Sequence, residues 1–392
     1  MKLRQGNPEE VGMSPKRIQR VFDLSDELLA QGDTKAIVMT VARKDVVVIH
    51  KAFGKLPNSQ PIELDSVFLI ACLSKPIVAT AIMILVEDGL VGINRPVAYY
   101  IPEFVGEGKD KVMVHHLLTH TSGLIQADVD KHAVKKKETF EIPQPEQNQH
   151  PLINENLWLR YDAPLSKKPG TEMSYGSLGY ELLGEIIRRV SEKNIDDFTR
   201  ERIFEPLGMK DTGYIASDSI KQRVIKNTEN DPGWWYDNII VKKTPWSSFG
   251  GFSTAMDMAI FGQMFLNQGI YGDTRILSPV TVSAMTRNQI PGIGARYGEE
   301  LFPEAEWGLG WSTTGNKKAL GYSEPLLSQK TFCHGGGAFA KNASHVNQLT
   351  IDPVYGIVIS LFYISTGSDM KDINIWIDDM IINAVMSAIT EI

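Results

Sequence analysis

The chain has 392 residues, 43% of them hydrophobic and 22% charged, with a formal net charge of −7. That length buries a sizeable core, as two domains or one two-lobed unit, and an acidic balance without a Lys/Arg stripe among aromatics speaks against a nucleic-acid partner. No segment approaches the roughly 20 apolar residues that span a bilayer, and the opening MKLRQGNPEEVG lacks the apolar stretch of a secretory signal. No membrane association and a cytoplasmic location are therefore expected.

The first element is SPKRIQRVFDLSDELLAQG, with Ser14 as N-cap, Pro15 at the first helical position and Gly32 as the stop. Ile18, Val21, Phe22, Leu28 and Leu29 give this helix an apolar stripe. Residues 36–54 read as two β-rich runs turning at Arg43, Lys44 and Asp45. Next comes ACLSKPIVATAIMILVEDG, apolar at helical spacing and stopping at Gly89. The stretches 125–168 and 226–250 carry little regular pattern, and the basic run from Lys131 to Glu138 reads as a solvated loop. Residues 347–365 form a second hairpin turning at Asp352, Pro353 and Gly356, and 369–391 a closing helix.

Strands near both ends with a helical middle imply one sheet assembled from the two ends. The expected division is an α/β sheet domain from 1–80 and 270–392, with 81–269 as an inserted, mainly helical lobe. A ligand would lie between them. Cys72 and Cys333 lie far apart in a large chain and suggest no disulfide framework.

Cys72 and Lys75 carry the first chemical signal. Three apart on a helix, they face the same way. A desolvated lysine amine can take a thiol proton, and free N–H groups at a helix start favour a thiolate or an oxyanion. In isolation the pair reads more simply as a structural cysteine and a surface lysine. Ser74 is the poorer nucleophile, rotated about 100° from Lys75 around the helix axis.

Further motifs follow in order: HHLLTHTSGL (115–124), PGTEMSYGSLGY (169–180), FGGFSTAMDMAIF (249–261) and FCHGGGAFA (332–340). With ACLSK they resemble the serine β-lactamase and penicillin-binding-protein superfamily, in its class C β-lactamase and esterase branch. The likeness runs from about Val11 to the closing helix, with cysteine where that family has the serine of S-x-x-K. It implies the class C β-lactamase-like α/β fold, an antiparallel sheet built from both chain ends and flanked by helices with an inserted helical lobe, and a covalent acyl-enzyme on residue 72. Tyr175 would act with Lys75 as acid and base, and the peptide N–H groups of Cys72 and Gly337 would form the oxyanion hole. Ser177, His334, Gly335 and Gly336 would contact substrate. No cofactor or metal is implied. The partners are a small-molecule ester or acyl donor and an acceptor, and the oligomeric state is left open.

Three departures shape the expectation. Ser177 replaces the amide of Y-x-N, and His334 replaces the lysine of K-T-G. Both turn the reading from β-lactams towards an ester hydrolase or acyltransferase. A D-peptidase, amidase or β-lactamase-type amide hydrolase is the alternative, and a non-catalytic binding protein the alternative of another class. Third, Cys72 is open to three readings: a native thiol nucleophile, a replaced serine that slows turnover, or a decayed site. The retained Lys75, Tyr175 and glycine triplet weigh against decay.

Other features have plainer readings. His116 and His120 at i and i+4 use a zinc spacing, but no glutamate completes H-E-x-x-H. Trp234, Trp235, Trp246 and Phe249 either wall an apolar acyl pocket or pack ordinarily. Asp257 fits the first turn of a helix capped by Ser253 or Thr254.

Overall fold

In the computed structural model, which describes all residues except 57–58, 227–238, 240–241, 298–299, 315–325, 339–343 and 366–369, the two hairpins read from sequence become neighbours in one sheet. In chain order the elements that build this frame and the site are β1 (Arg4–Gln5), α1 (Pro15–Gln31), β2 (Thr34–Arg43), β3 (Val46–Gly54), β4 (Phe68–Leu69), α2 (Ser74–Glu87), α3 (Val114–Leu118), α4 (Gln126–Lys137), α5 (Pro151–Trp158), β5 (Met173–Ser174), α6 (Leu178–Ser191), β6 (Phe252–Ser253), α7 (Ala255–Leu266), β7 (Ser312–Thr313), β8 (Phe332–Ala338), β9 (Ser344–Asp352), β10 (Ile357–Ser365) and α8 (Met370–Met386).

The seven-stranded sheet runs β1-β3-β2-β10-β9-β8-β7. It is antiparallel as expected, except at its edge, where β1 pairs parallel with β3. Ser14 caps α1 by accepting from Arg17 N–H, Pro15 follows it, and Gly32 ends the helix with φ +83°. Lys44 and Asp45 join β2 to β3 with φ +47° and +66°, the two positive values that a two-residue hairpin of this hand requires. Asp45 offsets that strain by accepting hydrogen bonds from Gln263 and Asn267 at 3.2 and 3.0 Å.

One face of the sheet is covered by α1 and α8. Ile18, Val21 and Leu28 meet Ile377, Ile381 and Val385 over Met39, Val41 and Ile359. The other face buries Val38, Leu349 and Phe362 with α2 and α7. α7 lies in the span assigned above to the helical lobe, yet packs directly on β2, β9 and β10. Gly262 permits the contact, since a Cβ there would lie 2.7 Å from Val358. Arg43 is buried where the chain ends meet, donating to the carbonyls of Val11, Gly12, Tyr355 and Glu391.

The stretch 125–168 departs from the sequence reading, because it holds two helices, α4 and α5. The basic run lies within α4 and not in a loop. Only Val129 and Ala133 of α4 are buried, which is too sparse an apolar pattern to reveal a helix among so many charges.

Candidate active site

Cys72 does not sit on the first α-helical turn. It occupies a 3-10 turn, Ala71–Leu73, and α2 begins at Ser74. Residues three apart eclipse in a 3-10 turn, so the shared facing of Cys72 and Lys75 survives. Ala71 carries φ +47°, a left-handed conformation unusual for a residue with a side chain. The turn is clamped from the β6 side, where Ile70 N–H donates to Gly251 O at 2.9 Å and Gly251 N–H donates to Ser74 Oγ at 3.0 Å. Ser74 therefore fastens the turn from a buried position.

Lys75 is fully buried. Its Nζ donates to Ser248 O at 3.1 Å and lies 4.7 Å from the centre of the Tyr175 ring. Burial would push the half-buried Cys72 thiol up. The Lys75 charge and hydrogen bonds from Tyr175 and Lys75 overcome that and hold it below the ordinary thiol value. Side chains 72, 75 and 175 thus converge, the first two as their spacing predicts and Tyr175 as the family resemblance implies.

The glycine triplet lies on β8. Beyond Cys333 this strand has no strand partner on its outer side among the described residues, and that edge faces the Cys72 turn. A Cβ at Gly336 would lie 2.0 Å from Ile70 O, 2.9 Å from Leu73 N and 3.2 Å from Cys72 N. Only glycine fits such an approach, and it brings residues 336–337 alongside the Cys72 peptide. Gly335 is exposed, Gly336 buried and Gly337 half-buried. His334 is buried with its ring 6.2 Å from that of Tyr175. Asn347, opposite Gly336 on β9, donates to Leu69 O at 3.0 Å and Gly336 O at 3.5 Å. It ties the strand to the segment leading into Cys72.

Several residues at this centre are given no catalytic role in the sequence reading. His120, φ +57°, leaves α3 and lays its ring 4.4 Å from Tyr175. Burial first, then the Lys75 and His334 charges, hold its pKa well down. Its Nδ1 accepts from Gly176 N–H at 3.4 Å, which places the proton on Nε2. Trp307 meets Tyr175, His120 and His334 edge-on, at 5.8, 5.4 and 5.7 Å between ring centres. Ser177 begins α6, and its N–H and that of Leu178 donate to Gln126 Oε1 at 2.9 and 3.2 Å. A carboxamide from α4 thus stands beside the position where the Y-x-N pattern has its own. The histidine of the L-L-x-H block was the one available signal, since it lies in a quoted motif.

Trp246 and Phe249 stack at 5.5 Å in the turn that presents Ser248 O to Lys75. Trp246 lines an open cavity of about 290 Å³ with Val134, Leu152, Leu159 and Arg160 among its walls. Trp234 and Trp235 lie outside the described residues. His116 accepts from Met113 N–H at the start of α3, while His120 turns towards Tyr175. No cluster of three metal-ligating side chains occurs among the described residues, nor any helix long and apolar enough to cross a membrane. Cys72 and Cys333 form no disulfide. Thr254 caps α7 by accepting from Asp257 N–H, and Asp257 accepts from Asp211 N–H and Thr212 Oγ, both at 2.8 Å.

Cys72, a buried lysine and a tyrosine thus meet beside a glycine-bearing sheet edge. Residues 21–379 match the family model described as Beta-lactamase, and the chain belongs to that family. Among curated relatives, esterase EstB of Burkholderia gladioli is 31% identical over 208 residues, which is 52% of each chain. A Salmonella paratyphi B protein, provisionally named a D-alanyl-D-alanine carboxypeptidase, is 24% identical over 372 residues, 85% of this chain and 81% of that one. Among solved structures, EstCE1, titled a hydrolase with promiscuous acyltransferase activity, superposes with a TM-score of 0.71 at 20% identity, covering 94% of this chain and 98% of its own. A class C β-lactamase gives 0.71 at 16% identity over 97% and 98%. The fold is that of this branch.

Proposed function

We propose that the protein is a hydrolase or acyltransferase acting on ester-like substrates through a thioester on Cys72. The observation that carries this reading is the convergence of Cys72, the buried Lys75 and Tyr175 beside the Gly336 edge of β8, and the lowering of the thiol pKa by Lys75 and Tyr175 agrees with it. The thiolate attacks the ester carbonyl and a C–S bond forms. The oxyanion is met by the peptide N–H groups of Cys72 and Gly337. The C–O bond to the alcohol breaks as Tyr175, coupled to Lys75, delivers a proton to the leaving oxygen. Water or a second alcohol or amine then attacks the thioester, its proton passing back through the same pair, and Cys72 is regenerated. Ser177, His334, Gly335, Trp246 and Phe249 would line the substrate's path. The name of the EstB relative supports the ester preference.

An amide substrate such as a D-amino-acid peptide is the second reading, favoured by the Salmonella relative that spans most of both chains. A short pulse of an activated acetyl ester, followed by peptide mass spectrometry, tests both against a non-reacting binding protein. An acyl adduct on the Cys72 peptide is expected. Labelling of Cys333 alone would overturn the covalent reading, and faster turnover of a D-alanyl peptide than of the ester would move the assignment to the amide class. Cys72→Ser tests the origin of the thiol: ester turnover falls if the cysteine is native and rises if serine is.

A further inference from the structure

A buried ammonium is costly unless its donors meet fixed acceptors. One acceptor for Lys75 is the carbonyl of Ser248, in a turn within 244–250 that belongs to no helix or strand. Glu181, in the first turn of α6 and 2% exposed, pins that turn. Ser248 N–H donates to Glu181 Oε1 at 2.9 Å, and Ser248 Oγ donates to the same oxygen at 2.6 Å. One turn further along α6, a Cβ at Gly184 would lie 1.8 Å from Ser247 Oγ, so the helix is flush with the turn. The second oxygen, Oε2, is buried with no hydrogen-bond partner among the described residues. Glu181 therefore forms no ion pair with hydrogen-bonding geometry, and its bonds all serve the turn.

We propose that Glu181 is a positioning residue for Lys75: it fixes the Ser248 carbonyl and, through it, aims the amine at Cys72. The inference deepens the covalent reading above and rests on it for its catalytic meaning. Burial raises the Glu181 carboxyl above the usual range, against the hydrogen bonds from Ser248 and the Lys75 charge. The groups facing Lys75 are Cys72, Tyr175, Tyr180, His120 and Glu181, with Tyr214 against Glu181 from the far side.

The test reads the Cys72 thiol directly, by the pH dependence of iodoacetamide alkylation in a Cys333→Ser background. Glu181→Leu keeps the volume and removes the acceptor. It should raise the alkylation midpoint by about one pH unit, the equivalent of a tenfold loss of thiolate, and slow acylation by an activated ester about tenfold or more at unchanged KM. Glu181→Gln keeps an oxygen for both Ser248 donors and should restore both to within about threefold. Ser248→Ala removes one donor and keeps the fold, and should shift the midpoint in the same direction by less. An unmoved midpoint in folded Glu181→Leu, or equal loss in the Gln and Leu variants, overturns the proposal. Failure of the parent to acylate at Cys72 would instead sink the esterase reading, and the alkylation result would still stand by itself.

Discussion

On the outer face of the sheet, α1 and α8 interlock hydrocarbon: Ile18, Val21 and Leu28 against Ile377, Ile381 and Val385. On the inner face, equally deep, the chain buries Lys75, Glu181, His120, His345 and Asn347. A polar group sealed away from water destabilises a fold unless it is paired. The outer layer is mainly apolar, and the guanidinium of its Arg43 is met by backbone carbonyls, whereas the inner layer gathers several polar groups around Cys72. The two faces share strands, yet one stabilises the scaffold and the other surrounds the site proposed to carry the chemistry.

Lys75→Met should separate the faces most sharply. Without the amine the thiol rises, and acylation of Cys72 is expected to fall by about 10³-fold, within the usual range for losing an acid–base group, with the melting temperature unchanged or higher because a buried charge has gone. Ile381→Ala on the outer face should do the opposite, costing about 3 kcal/mol in chemical denaturation while folded molecules react at the parent rate. Gly336→Ala should slow acylation by about 10²-fold, the scale of a lost oxyanion donor, with little change in KM. Its added methyl meets the Ile70 carbonyl and pushes β8 from the Cys72 turn. If Ile381→Ala changes the rate per folded molecule as much as Gly336→Ala does, the division of labour between the faces fails.

The smallest expected effect is on pH dependence. Burial holds His345 at about 4, below the value of about 6.5 in an unfolded chain. The unfolded state therefore binds the proton first, and this residue's contribution makes stability fall as pH drops from about 6.5 to about 4. Urea titrations of His345→Leu should show a slope in that window shallower than the parent's by up to about 1.4 kcal/mol per pH unit. No such change is expected from an outer-face variant such as Ile381→Ala.

Local signals in the sequence reached the hairpins, the Ser14 and Thr254 caps, and the approach of Cys72, Lys75 and Tyr175. The hairpins, the caps and the shared facing of Cys72 and Lys75 depend on neighbours in sequence, whereas the place of Tyr175 beside them came from the family resemblance. The long-range contacts were not legible. Lys75 meets Ser248 across 173 residues and Asn347 meets Leu69 across 278, and no periodicity records such pairings. Glu181 reads as an ordinary acidic residue near a helix start, and only its burial beneath the 247–248 turn gives it a task. The helix α4 was missed for the opposite reason, since its surface is charged nearly all round and its buried stripe is two residues wide.

The arrangement of the sheet has a consequence for synthesis on the ribosome. β2 pairs with β10, and the hydroxyl of Thr34 reaches the carbonyl of Ile364 across 330 residues. Until residues 357–365 emerge, the hairpin of β2 and β3 lacks one flank. The nascent chain thus carries an unpaired apolar strand edge through most of translation. Chaperone occupancy should follow that interval and end once β10 docks, at the same moment that Gly336 reaches the thiol.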